Sequence, residues 1–204
     1  MCTNSVNNQK GFTLFEMLVS LSIVALIASI SLYGLTSYTQ YFALKDSART
    51  LEGVFREAQD YAVNIQDIRT AAGMSSDFAG RFGVAVAVGE PIILFSDDDT
   101  PANIYAYDGP IGGTAECKGE CVSKTPLKNS VSIKKICYYI TANNLCQSDD
   151  GWITAVFVRP SLDAHINAFG VYKTDIEKIE ITLESTSGYE TTVSVGATGY
   201  ISNT

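Results

Sequence analysis

The apolar residues of this chain fall into three zones that differ in their spacing. In the first zone, residues 12–35, the sequence FTLFEMLVSLSIVALIASISLYGL is apolar almost without interruption. As an α-helix these 24 residues would extend about 36 Å, whereas the hydrocarbon core of a bilayer is about 30 Å thick. The first zone therefore predicts a helix that is long enough to span a membrane.

In the second zone, residues 36–70, apolar residues recur at alternating steps of three and four, the spacing of one helix face. Charged residues occupy the opposite face, where Glu52 and Arg56 have the i,i+4 spacing of an ion pair. The zone predicts an amphipathic stalk that continues the first helix without a break, as one helix of about 55 residues. The apolar positions are Tyr41, Leu44, Ala48, Leu51, Phe55, Ala58, Ala62 and Ile65.

In the third zone, residues 71–204, short runs rich in β-branched and aromatic residues are separated by turn residues. Ile179, Ile181 and Leu183 alternate with polar residues before a turn at 185–188, which predicts a hairpin with one solvent-facing side. Only the inner face of such a sheet could cover the stalk. We therefore expect an α+β fold, a long N-terminal helix packed on a mostly antiparallel β-sheet head. The predicted strands are RFGVAVAV, EPIILFS, ANIYAY, SVSIKKICYYI, GWITAVFV, EKIEITLES and YETTVSV.

Composition narrows the functional classes. The chain has 204 residues, of which 46% are apolar, so it can bury a hydrophobic core. Its formal net charge is -8. That charge argues against a surface built to neutralise nucleic-acid phosphates. One histidine and five scattered cysteines exclude most multi-histidine metal centres and leave little for nucleophile and base chemistry. The composition favours a protein that is not an enzyme.

Three interpretations of the first zone compete. A secretory signal peptide would end in small residues such as Ser29 and Ser31, but its apolar stretch would be unusually long and its basic region would reduce to Lys10. An ordinary single-pass anchor leaves Glu16 unexplained, because a carboxylate in a membrane helix costs about 2.5 to 3.5 kcal/mol on insertion scales. Glu16 is the one charged residue between Lys10 and Lys45. The third interpretation gives this glutamate a function.

The third interpretation rests on residues 10–19, KGFTLFEMLV, which resemble the processing site of type IV prepilins and pseudopilins. The resemblance implies that residues 1–11 are a leader peptide, cut after Gly11 by a membrane prepilin peptidase that also methylates the new amine of Phe12. It implies that Glu16 pairs with the N-terminal amine of a neighbouring subunit and sets the register of a filament. The implied partners are the peptidase, other pilin or pseudopilin subunits and an inner-membrane assembly platform, with membrane lipid around the helix before assembly.

The head also resembles one branch of this family. The stretches SARTLEGVFREAQDYAVN, GVAV, LFSDDD and VSVGATGYIS are similar to the minor subunits often called GspH/FimT-like. By this resemblance the chain is a structural subunit anchored by one helix in the inner membrane, with its head outside the cytoplasm, and later part of a filament. A type IV pilus and a type II secretion pseudopilus both remain open.

Cysteine parity suggests disulfides. Cys2 would leave with the leader, and an even number of cysteines outside the cytoplasm predicts two bridges. Sequence proximity favours pairing of Cys117 with Cys121 and of Cys137 with Cys146. Bridges that close longer loops, however, stabilise a fold more. Zinc is the rival, but the C-x3-C and C-x8-C spacings with a distant His165 fit a zinc ribbon poorly. The four candidates are Cys117, Cys121, Cys137 and Cys146.

Two charged segments are candidate ligand sites. Asp97, Asp98 and Asp99 form an acidic turn, for which solvation is the simple interpretation and calcium the alternative, although EF-hand spacing is absent. No other cofactor is expected. Residues 116–135 carry a local positive charge that would suit a head that binds DNA, a surface or a secreted substrate, but arginine is absent and a solvated loop is the simpler interpretation. The lysines concerned are Lys118, Lys124, Lys128, Lys134 and Lys135.

An enzymatic interpretation would have to use Ser161, Asp163 and His165 in the segment RPSLDAHINAF. The nucleophile elbow G-x-S-x-G is missing, and catalytic triads are seldom built from neighbours in sequence. We therefore expect His165 to lie in a surface loop.

Overall fold

The fold is that of a computed structural model in which residues 11–64, 81–97, 105–107, 109, 117, 120–128, 130–140, 144–147, 152–168, 171–172 and 174–204 are described. The chain divides into two units, Met1–Thr39 and Gln40–Thr204.

One helix, α1, runs over the 50 residues Leu14–Val63. Its segment Leu14–Ser31 is long and apolar enough to cross a membrane. The hydroxyls of Ser22, Ser29 and Ser31 donate to the carbonyls four residues earlier, so these polar groups are satisfied within the helix. The uninterrupted helix was expected to reach residue 70; α1 ends at Val63, Asn64 follows in a turn, and residues 65–70 lie outside the described part of the chain.

The unit Gln40–Thr204 contains two antiparallel sheets. A six-stranded sheet has the order β3-β2-β1-β6-β7-β8, and a five-stranded sheet has the order β11-β10-β9-β4-β5. The six-stranded sheet comprises β1 (Arg81–Ala87), β2 (Ile92–Ser96), β3 (Cys121–Thr125), β6 (Trp152–Val158), β7 (Ala164–Ala168) and β8 (Val171–Tyr172). The five-stranded sheet comprises β4 (Val131–Ile140), β5 (Asn144–Gln147), β9 (Ile176–Ser185), β10 (Glu190–Gly196) and β11 (Ile201–Asn203).

A single hydrophobic core joins the stalk half of α1 to both sheets. The three-and-four spacing of the stalk places most of its apolar stripe in this core, with Leu51 and Phe55 fully buried. Tyr41, at the start of the stripe, is instead exposed, and Ile65 lies outside the described residues. Val84 and Leu94 face it from the six-stranded sheet, and Ile181 from the five-stranded one. The predicted packing of the stalk on sheet is confirmed. The other stripe residues in the core are Leu44, Ala48, Ala58 and Ala62.

The six-stranded sheet is also covered on its other face. Ala85, Phe95 and Val156 form a second cluster there, together with Cys121 of β3 and Tyr107. Burial on both faces explains why β1 and β6 read as continuous apolar runs, whereas in β9 the buried Ile179 and Ile181 are separated by the less buried Glu180.

Polar bonds tie the stalk to the last hairpin. Gln59 Nε2 donates to the carbonyl of Gly199 at 2.6 Å, and Asn203 Nδ2 donates to Glu52 Oε2 at 2.6 Å. Glu52 also accepts from Arg56 at 2.7 Å, the ion pair that the i,i+4 spacing predicted. Polar residues of the stalk thus bind the β10–β11 turn and β11, and help to hold this last hairpin in place.

The head departs from the prediction in three respects. It has two sheets where one was expected, and β3, β5, β7, β8 and β11 were not predicted as strands. The expected strand ANIYAY is wrong over its described part, because residues 105–107 form a turn and Tyr105 has a left-handed φ of 63°. The turn is held from outside, since Tyr105 N–H donates to Asp97 Oδ2 at 3.3 Å and Thr154 Oγ1 donates to the Tyr105 carbonyl at 2.7 Å.

Candidate functional site

The start of α1 carries the residues singled out as a processing and assembly site. Gly11 and Phe12 are exposed in coil just before the helix, and Phe12 is 82% exposed. The Thr13 carbonyl accepts from Met17 N–H at 3.2 Å, which makes Thr13 the N-cap residue. The peptide bond between Gly11 and Phe12 thus lies in exposed coil, two residues before the first residue of α1.

Glu16 takes part in a reciprocal capping box with Thr13. Thr13 N–H and Thr13 Oγ1 donate to Glu16 Oε2 at 3.1 and 3.0 Å, and Glu16 N–H donates to Thr13 Oγ1 at 3.2 Å. A negative charge at this position also meets the positive end of the helix dipole. The capping box was not predicted, although the spacing T-x-x-E followed by an apolar run is its known sequence signature.

The cysteines lie in two local groups. Cys117 and Cys121 form a disulfide with Cα atoms 5.3 Å apart, the local pairing that sequence proximity favoured. Cys137 is also disulfide-bonded, and its partner in the β4–β5 register is Cys146. The first bridge ties the chain before β3 to the second cluster, because Cys121 is fully buried there and Cys117 packs against it.

The predicted lysine segment is divided between the two sheets. Lys124 lies in β3, whereas Lys134 and Lys135 lie in β4 of the other sheet. Lys128 pairs with Asp46 at 2.6 Å. Lys118 lies outside the described residues. The structure therefore does not gather these lysines on one face.

The lysines of β4 lie beside carboxylates of the same five-stranded sheet. Lys134 Nζ lies 2.6 Å from Glu190 Oε1 and 3.0 Å from Glu184 Oε1. The bond from Lys134, with a smaller contribution from Lys135, lowers the pKa of Glu190, and the bond to Glu190 raises the pKa of Lys134. Near them Lys178 binds Glu180 at 2.7 Å. This mixed surface offers no concentrated positive field to an anion.

Of the acidic turn, the structure describes Asp97 alone; Asp98 and Asp99 lie outside the described residues. Asp97 is 1% exposed, and its carboxylate accepts from the Tyr105 N–H. Among the residues that the structure describes, no group of three or more His, Cys, Asp or Glu side chains could hold a metal ion. The described part of this turn thus has a structural role.

The segment considered for enzymatic chemistry is spread over a loop and a strand. Ser161 and Asp163 are exposed before β7, and the expectation of a loop position for His165 is wrong, because His165 lies in β7. Its ring stacks on Tyr105 with centroids 4.3 Å apart and planes 10° apart. Burial lowers the pKa of His165, so the ring is neutral at pH 7. The histidine packs against the turn that covers the six-stranded sheet.

Comparison with known proteins bears on the first site. Residues 6–32 match the prokaryotic N-terminal methylation motif. No curated protein and no solved structure matches the chain. The matched segment contains Gly11, Phe12, the Thr13–Glu16 capping box and the start of the apolar helix, and it supports a type IV prepilin-like family.

Proposed function

We propose that this chain is a non-enzymatic minor subunit of a type IV pilus or a type II secretion pseudopilus, cut after Gly11, methylated at Phe12 and assembled through α1. The observation that carries the proposal is the methylation motif on a helix of membrane-spanning length, with a carboxylate one turn inside it. The resemblance of the head to the GspH/FimT-like branch favours a minor subunit. Two extracytoplasmic disulfides would suit a head outside the inner membrane.

Glu16 gives the proposal its mechanism. Cleavage creates a cationic amine on Phe12, four residues before Glu16. In the single subunit Thr13 donates two hydrogen bonds to one oxygen of the Glu16 carboxylate. Among the described residues, however, no cationic side chain is hydrogen-bonded to this carboxylate. A carboxylate in a membrane helix costs about 2.5 to 3.5 kcal/mol. The amine of a neighbouring subunit would offset that cost only when the two helices dock in register.

Processing is tested on the protein isolated from cells that contain a prepilin peptidase. We expect intact mass and N-terminal sequencing to find a chain that begins at N-methylated Phe12. A Gly11→Val variant should remain uncut, because the peptidase must fit the residue before the cut. A chain beginning near Leu32 would instead identify a signal peptide and contradict the proposal.

Assembly is tested with two substitutions of Glu16 that separate charge from capping. Glutamine can replace glutamate in a capping box, so Glu16→Gln keeps the cap and removes the charge, whereas Glu16→Ala removes both. Both variants should be processed and inserted, yet enter sheared filaments or pseudopilus complexes at least about tenfold less, as expected from a charge term of about 2 kcal/mol or more. Ser22→Ala, which removes a self-satisfied hydroxyl from the same segment, is the matched control.

The two variants lead to different conclusions. Normal incorporation of Glu16→Gln with loss in Glu16→Ala would mean that Glu16 acts as a helix cap. Normal incorporation of both would refute the role of Glu16 in assembly.

A further inference from the structure

An exposed aromatic cluster lies on the unit Gln40–Thr204, where α1 enters it. Tyr41 and Phe42 of α1 and Tyr189 of the β9–β10 turn are 42, 50 and 44% exposed. The Tyr41 ring meets those of Phe42 and Tyr189 edge to face, with centroids 5.9 and 6.0 Å apart. A hydrogen bond from Ser187 Oγ to Gln40 Oε1 also fixes the turn to the helix. The three rings thus form one surface, called here the aromatic cluster.

The position of this cluster along the chain indicates what covers it. Between Glu16 and Lys45 there are 28 residues without charge, which as a helix rise about 42 Å. A bilayer including its headgroup regions is about 40 to 45 Å thick. Aromatic residues concentrate at the far end of this stretch, at Tyr33, Tyr38, Tyr41 and Phe42. Tyrosine is enriched where a membrane helix leaves the lipid, because its ring is apolar and its hydroxyl is polar.

We propose that the aromatic cluster lies in the headgroup region of the bilayer and seats the head on the membrane surface before assembly. The inference rests on the proposed function in one respect, that α1 spans a membrane. Tyr189 distinguishes this arrangement from an ordinary aromatic belt on a membrane helix. It belongs to the head, so a second segment of the chain would lie in the headgroup region beside the aromatic residues of α1. Two contacts hold it there, the ring contact with Tyr41 and the neighbouring bond of Ser187.

Charges beside the cluster suit a phosphate-bearing surface. Lys45 is the first charged residue after the long uncharged stretch, and its Nζ lies 3.4 Å from Thr191 Oγ1, two residues beyond Tyr189. Its flexible stem allows the ammonium to reach lipid phosphates. The nearby Glu190 pairs with Lys134 at 2.6 Å, and Lys134 also pairs with Glu184 at 3.0 Å. The cluster therefore combines apolar rings with a cation and a carboxylate that is already paired.

The test places a tryptophan in the cluster and measures its contact with lipid. The full chain carrying Tyr189→Trp is reconstituted in phosphatidylcholine and phosphatidylglycerol vesicles, with and without lipids brominated near the carbonyl end of the acyl chain. The wild-type protein has one tryptophan, Trp152, whose emission provides the baseline to subtract. We expect the added emission to fall about twofold in brominated vesicles, as for a ring at interfacial depth.

Tyr200→Trp is the matched control. Tyr200 is 67% exposed in the β10–β11 turn, and its carbonyl accepts from Gly196 N–H at the end of β10 opposite to Tyr189. The seven residues of β10 separate the two turns by about 23 Å. We expect the Tyr200→Trp emission to be the same in both kinds of vesicle. Phe42→Trp, in the cluster but on the helix, should be quenched like Tyr189→Trp.

The outcomes distinguish this inference from the proposed function. A chain that does not float with vesicles refutes the membrane anchor and with it both proposals. A chain that floats, with unquenched Tyr189→Trp and unchanged circular dichroism, overturns the seating of the head alone. Quenching that disappears as protein is diluted into excess lipid would assign the cluster to contact with a second copy of the chain, and would also overturn the inference.

Discussion

Gly199 offers a test of how the last hairpin is fixed to the rest of the head. Its φ is +78°, and a Cβ added there would lie 2.2 Å from the Leu162 carbonyl oxygen and 3.1 Å from Gln59 Nε2. Gly188, in the preceding hairpin turn, has nearly the same φ of +80°, but no described atom lies within 4 Å of an added Cβ. The two glycines therefore share a positive φ and differ in what surrounds them.

The magnitudes follow from this difference. Alanine in a left-handed conformation costs about 1 to 2 kcal/mol, and we expect Gly188→Ala to lower the free energy of unfolding by that amount. At Gly199 the overlap with the Leu162 backbone adds about 1 to 3 kcal/mol, and loss of the Gln59 hydrogen bond adds about 1 kcal/mol. We expect Gly199→Ala to cost about 4 kcal/mol in total.

The assay is thermal unfolding of the full chain in detergent, followed by the emission of Trp152 in β6. For a domain of this size each kcal/mol shifts the midpoint by about 2 to 4 °C. Gly199→Ala should therefore lose about 8 to 16 °C and Gly188→Ala about 2 to 8 °C. Equal losses in the two variants would refute the argument that close packing against Leu162 and Gln59 holds this turn.

Two further predictions concern the head. Cys117→Ala opens the small loop closed by the Cys121 bridge, so the free energy of unfolding should fall by about 2 kcal/mol, and an unchanged urea midpoint would contradict a stabilising role. Because the bond from Lys134 lowers the pKa of Glu190, the pair stabilises the fold above the ordinary glutamate pKa and loses this effect as pH falls through the lowered value. Glu190→Gln should accordingly flatten the decline of the thermal midpoint between about pH 6 and about pH 3, with Asp175→Asn as the control, and an unaltered decline would count against the pair.

The parts of the fold that sequence predicted are those in which a local pattern records burial. The alternation around Ile181 and the continuous run of β1 each reflect which faces are covered, and both strands were found where expected. The strand β7 was missed because AHINA is short and mixes polar with apolar residues. The prediction of a strand at Tyr105 was wrong because the hydrogen bonds that hold this turn come from Asp97 and Thr154, 8 and 49 residues away, and not from within the turn itself.

The residues of the candidate sites likewise divide into those whose role follows from neighbours in sequence and those whose role depends on distant partners. The capping role of Glu16 could have been predicted, because Thr13 is only three residues away and the spacing is a known signature. The neutralisation of Lys134 could not, because its partners Glu184 and Glu190 are 50 and 56 residues away and meet it only through the β4–β9–β10 register. A run of lysines in sequence says little about net charge on the folded surface.

The bond between Glu52 and Asn203 has a consequence for the timing of biogenesis, because 151 residues separate its two ends. The stalk stripe cannot complete its burial until β11, which adds Ile201 to the same core, has been synthesised and delivered, so the head gains these non-local contacts late. For a head that folds beyond the inner membrane, as proposed, this delay would keep the emerging polypeptide unfolded and competent for translocation. It would also leave the apolar stripe exposed for longest during export, at the stage when a periplasmic chaperone could bind it.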